Sequence, residues 1–216
     1  MLMDLIVKHK RVTGIFVIWL FNVSACIGIY LGFMNWFVEK TAINLIIQLL
    51  LLALIFPIRN KKEIQIFLII FFIGFTVEVI GVKTGFPFGD YSYKSSLGLK
   101  LLEVPLLIGS NWVVLVFTTG AISNYIAPKY TGLRILSGAT LMLLLDILME
   151  PVVAQLNFWE FTPNLPPIEN YISWFLLALF MHYLFQKSHI KGDQVFSLNL
   201  FAVQLIFFLF LNITLS

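Results

Sequence analysis

The stretch Glu78–Trp112, EVIGVKTGFPFGDYSYKSSLGLKLLEVPLLIGSNW, leaves one apolar run, crosses a polar, aromatic and glycine-rich segment, and enters another apolar run. It carries Glu78, Asp90 and Glu103, Tyr91 and Tyr93, four glycines (Gly81, Gly85, Gly89, Gly98), then Asn111 and Trp112. The chain around it is 60% hydrophobic and 12% charged, with 22 Phe in 216 residues. Glycine permits positive φ and close backbone approach, and Pro87 fixes a turn. Tyr91 and Tyr93 alternate, so an extended backbone points both the same way. Together these features describe a packed re-entrant or capping loop between two membrane spans, not a flexible linker.

Working outward, the apolar runs are too long and too many for a soluble core, and a mean hydropathy of +0.95 agrees. Spans need roughly 20 mostly apolar residues. About seven transmembrane helices follow: Val12–Phe33, Thr41–Ile58, Ile64–Val82, Val104–Ala127, Leu133–Ala154, Tyr171–Phe185 and Val195–Leu215. A barrel would show alternating ten-residue segments instead. The fold class is therefore all-α and polytopic, with residues 1–216 forming a single integral-membrane domain. The basic N-terminal segment precedes a run of full span length without a clear small-residue cleavage site, and reads as a retained anchor.

The charge of +3 does not point to a nucleic-acid partner, because the basic residues sit in short clusters between apolar runs. Ten fall on one side: Lys8, Lys10, Arg11, Arg59, Lys61, Lys62, Lys129, Arg134, Lys187 and Lys191. Four fall on the other: Lys40, Lys83, Lys94 and Lys100. The positive-inside rule then places the N-terminus in the cytoplasm. It also brings Glu78, the Glu78–Trp112 loop, Asp146, Glu150, Glu160 and Glu169 to the outer face, where acids distant in sequence can meet.

Asp146 and Glu150 lie four residues apart in LMLLLDILMEPVV and share one helix face. Carboxyl groups at membrane depth are expensive as ions and usually face a cavity or a partner. A carboxylic acid that keeps its proton in apolar surroundings is the donor that general acid catalysis needs. The competing reading makes Glu150 interfacial and pairs Asp146 with a tyrosine or asparagine of the bundle. Glu78 is a lone acid in FFIGFTVEVIG, and Lys83 offers only an interfacial pairing. Asp90 and Glu103 are weaker candidates, since an outer loop can hold them in water. Cys26 is the only cysteine, and His9, His182 and His189 do not assemble into a ligand set. Neither a nucleotide motif nor a serine triad is evident.

The pattern Glu78-x-x-Gly81-x-x-x-Gly85-x-Pro87-Phe88-Gly89-x-Tyr91-x-Tyr93 resembles the membrane-bound carotenoid biosynthesis protein family, which includes the bisanhydrobacterioruberin and carotenoid 1,2-hydratases. Three further blocks agree, in the family's order. They are Leu97-Gly98 with Val104-Pro105-Leu106 and Asn111-Trp112; Asp146 with Glu150-Pro151 and Phe158-Trp159; and Pro167 with Asn170-Tyr171 and Trp174. Glu150 stands where Asp is expected before Pro, and Glu103 where a small residue is more usual. The resemblance implies a bacterial inner-membrane enzyme that hydrates the terminal isoprene double bond of a lycopene-like or C50 polyene drawn from the bilayer. No redox cofactor or metal is required for that reaction. The acid–base roles would fall to Glu78, Asp146 and Glu150. Asp90, Tyr91, Tyr93, Glu103, Asn111, Trp112, Asn170 and Trp174 would line the site or hold the water. Two alternatives share these residues: a membrane lycopene cyclase, faintly suggested by PIEN at Pro167–Asn170, and a proton-coupled transporter.

Overall fold

The computed structural model describes residues 2–58 and 60–215, with side chains from Lys8 onward; Arg59, one of the ten charges expected on the cytoplasmic side, lies outside the described residues. Among the described residues eight helices follow in order: α1 (Leu2–Tyr30), the short α2 (Met34–Val38), α3 (Thr41–Ile55), α4 (Lys61–Thr84), α5 (Leu106–Ile126), α6 (Thr131–Val153), α7 (Ile168–Ser188) and α8 (Gln194–Leu215). Six of them are long and apolar enough to cross a bilayer, α1 from Lys8 onward.

The remaining apolar segment, α3, is shorter than the expected Thr41–Ile58. Pro57 disfavours helix at the residue before it, and Phe56 is extended at φ −70°, ψ 141°. The 15 residues of α3 span about 22 Å against a hydrocarbon core of about 30 Å. It still runs the length of the bundle, with Ala42 beside Gly98 at one end and Phe56 beside Gly192 at the other. Prolines move two other boundaries as well. Pro105 caps α5, so that helix begins after Val104, and Pro167 caps α7 and starts it at Ile168.

The centre of the bundle is α5, buried over most of its length and packed by α3, α4, α6, α7 and α8. A helix apolar all round is one that other helices surround. Near its far end the buried His182 of α7 sits 2.9 Å from Thr119 Oγ1, with Gly138 of α6 against its ring. The helix that carries Glu78 has well-defined ends. Asn60 and Glu63 form a reciprocal capping box at its start, and Gly85 closes it in the left-handed conformation at φ 72°.

At the opposite end, the connection after α4 folds over the bundle as a cap. Strand β1 (Tyr91–Tyr93) pairs antiparallel with a strand from the α6–α7 connection, Trp159–Phe161, placing Tyr91 opposite Phe161 and Tyr93 opposite Trp159. Flanking bonds extend the pairing, from Thr162 N–H to Asp90 O and from Lys94 N–H to Phe158 O, both at 2.8 Å. Lys94 and Glu160 add an ion pair on the outer side. Tyr91 and Tyr93 both turn inward while Ser92 is exposed. The expected loop is thus a cap made from two connections, not one.

Candidate functional site

Beneath this cap lies Glu78, 2% exposed and close to the end of α4. Its Oε2 accepts hydrogen bonds from Tyr91 Oη at 2.6 Å and Tyr93 Oη at 2.8 Å. Its Oε1 accepts one from Trp112 Nε1 at 3.1 Å. Burial first, and then the adjacent Glu78 charge, push both phenols up from the ordinary tyrosine range, so both hydroxyls stay protonated as donors. The Trp112 indole stacks on Trp174 of α7 at 4.1 Å and 19°.

Two glycines on α4 make this approach possible. A Cβ at Gly74 would stand 2.5 Å from Trp112 Cγ, and one at Gly81 would stand 2.8 Å from both Phe88 Cδ2 and Tyr91 Oη. They are notches one turn to either side of Glu78. Replacing Gly74 by Ala is expected to displace Trp112, costing about 1–3 kcal/mol of stability by overpacking and loosening Glu78. Thermal unfolding in detergent measures the first effect, and pigment conversion the second.

The second half of the site comes from α6 and α7. Glu150 accepts from Asn170 Nδ2 at 3.3 Å and from Trp159 Nε1 at 3.4 Å. One turn away, Asp146 is 1% exposed, and neither of its oxygens has a hydrogen-bond partner among the described residues. The tyrosine or asparagine partner considered for Asp146 is therefore not present among the described residues; the asparagine goes to Glu150 instead. A cavity of about 20 Å³ is lined by Glu78, Tyr91, Tyr93, Asn111, Trp112, Glu150, Asn170 and Trp174, together with Trp159 and apolar neighbours. That is room for about one water molecule.

This polar chamber adjoins a second cavity of about 550 Å³, and Ile108, Asn111, Met149 and Trp159 line both. The larger space runs between α1, α3 and α8, with mostly hydrocarbon walls. Trp36 and Ile43 line it too and are more than half exposed, so it reaches the protein surface.

Two expected site residues stand apart. Asp90 is exposed, and its carboxylate lies against Gly85. Glu103 is exposed and paired with Lys83 at 2.5 Å. Neither lines the chamber. Exposed pairs of this kind contribute little, so Glu103→Gln is expected to keep full pigment conversion and change stability by less than about 1 kcal/mol. Sequence reasoning also misses site-lining residues: Trp159 lies within a recognised block without an assigned role, while Gln48 and Gln204 are single glutamines in largely apolar spans.

A family profile described as "Carotenoid biosynthesis protein" matches residues 39–216. The chain belongs to this family. Among curated relatives, the bisanhydrobacterioruberin hydratase of Haloarcula japonica is 27% identical over 146 residues, covering 61% of this chain and 47% of that protein. The chain thus matches about half the length of that relative. No solved structure matches. Family membership and six helices long and apolar enough to cross a bilayer make this chain an integral-membrane protein of carotenoid biosynthesis. The match includes α3 through α8, and hence both halves of the carboxyl site.

Proposed function

We propose that the protein adds water to the terminal isoprene double bond of a lycopene-like or C50 carotenoid. The observation that carries this reading is a water-sized chamber between Glu78 and Glu150 that shares lining residues with a larger, mostly apolar cavity. A polyene entering from the bilayer would lie in the larger space with its end at Asn111 and Trp159. Hydration needs a proton donor, shelter for a tertiary cation, and one delivered water.

Glu150, facing the chamber, gives its proton to the less substituted alkene carbon, and Asp146 one turn behind shares and restores that proton. The cation forms on the more substituted carbon, beside the faces of Trp112, Trp174 and Trp159, which stabilise positive charge. Water held by Glu78 attacks the cation. Its surplus proton passes to Glu78, whose three donors at 2.6–3.1 Å suit it to carry negative charge beforehand. The next water returns that proton to the Glu150–Asp146 pair, so the net change is the addition of one water.

Expression in a bacterium engineered to make lycopene, followed by chromatography and mass spectrometry of the pigments, tests the reading. The expected product is heavier than its substrate by one water for each reacted end. A product of unchanged mass would identify a cyclase instead. Unchanged lycopene despite verified membrane insertion would rule out lycopene as the substrate and direct the assay to a C50 polyene.

A further inference from the structure

Five amides interrupt the hydrocarbon lining of the larger cavity, Asn22, Asn44, Gln48, Asn111 and Gln204, and the buried ones are Asn22 on α1, Gln48 on α3 and Gln204 on α8. All three are more than nine-tenths buried. Gln204 Nε2 donates to Gln48 Oε1 at 3.0 Å. An amide carries two N–H donors and an oxygen with two lone pairs, so one bond between two amides leaves groups over. Gln204 Oε1 has no hydrogen-bond partner among the described residues. Gln48 Nε2 donates to no protein group among the described residues. Exchanging O and N in both side chains changes which residue supplies which group, and leaves the surplus the same.

A plain tie between two helices would need only the one bond, and a buried acceptor left unmatched is costly. One spare donor and one spare acceptor on the same cavity wall match a hydroxyl group, which accepts from the first and donates to the second. The position is distinct from the carboxyl site. Asn212 of α8 donates to the Leu148 carbonyl at 2.7 Å, which sets the level of the turn bearing Glu150. Gln204 lies eight residues, or about 12 Å, further from that end.

We propose that the Gln48–Gln204 pair is a hydroxyl-binding subsite, which selects polyenes that already carry an alcohol over those that are hydrocarbon throughout. This rests on the larger cavity being the polyene's site. Two hydrogen bonds toward the low end of the ordinary net strength correspond to about a tenfold preference.

The test uses the full chain, purified from bacteria that accumulate a hydrocarbon polyene and its monohydroxylated counterpart together. The ratio of pigments retained by the protein is compared with the ratio in the membrane. Wild type is expected to be enriched about tenfold in the alcohol, and the double variant Gln48→Leu/Gln204→Leu to show no enrichment. The single variants Gln48→Met and Gln204→Met, close to glutamine in length, are expected to fall between, and they serve if the double variant does not insert. Retention of both pigments in the membrane ratio by wild type overturns the subsite but leaves the cavity reading intact. So does an equal loss of both pigments in the variants, which a bound water or a bare helix tie would produce. Retention of neither pigment by wild type overturns the cavity reading, and the subsite with it.

Discussion

Glu78→Gln is expected to lower pigment conversion by about 10²–10⁴-fold, the range associated with removing a general acid or base, while the protein still inserts and purifies as a monodisperse species. Gln keeps the length of Glu and an oxygen for the Tyr91 and Tyr93 hydroxyls, so the cap remains seated. What it lacks is an oxygen on both arms, so its amide N–H meets the Trp112 N–H where a carboxylate accepted a bond. It also cannot take a proton from water. Tyr91→Phe provides the graded comparison. It removes one 2.6 Å donor from the carboxylate and is expected to lower conversion by a smaller factor. Full conversion by Glu78→Gln would remove Glu78 from the mechanism.

The second large effect has opposite signs in stability and activity. Asp146 is a buried carboxyl whose two oxygens have no hydrogen-bond partner among the described residues. A buried polar group left unmatched costs about 1–3 kcal/mol. Asp146→Leu is therefore expected to raise the midpoint of thermal unfolding, by an amount corresponding to about that energy, and to abolish or severely reduce conversion. Sites that carry function commonly hold such a cost. Asp146→Asn keeps the shape without the proton and should lose activity with little gain in stability. A stabilised Asp146→Leu protein that remained fully active would make Asp146 a bystander.

Much of the fold was legible because bilayer thickness translates directly into run length. Helix ends were less so, since one proline outweighs several apolar neighbours. Pro57 stops α3 although Ile58 is apolar, and Pro167 starts α7 three residues before the expected Tyr171. The Glu78 half of the site was legible because its ligands Tyr91, Tyr93 and Trp112 lie within one stretch, and the alternation of the tyrosines fixes their common face. The role of Trp159 was not legible, because it follows from the pairing of two connections far apart in the chain. Asp90 and Glu103 look like site residues in one dimension. Exposure and the Lys83 pairing separate them from the chamber in three. The large cavity could not be inferred from any local pattern, since helices from both ends of the chain form its walls.

The pairing of β1 with Trp159–Phe161 also sets an order of assembly. Tyr91 waits for Phe161, seventy positions later in the chain, which at ordinary synthesis rates is roughly 4–14 s. During that interval Glu78 can gather Tyr91, Tyr93 and Trp112, but nothing covers them from the α6–α7 side. Glu150 and its neighbours do not yet exist when the first half forms. The nascent protein therefore passes through a stage in which half a polar site faces the membrane surface without its counterpart. A ribosome paused before Trp159 would prolong that stage. Site-specific crosslinking from position 92 in stalled nascent chains would detect it as contact with lipid or insertion machinery, replaced by contact with residue 160 once the α6–α7 connection has emerged.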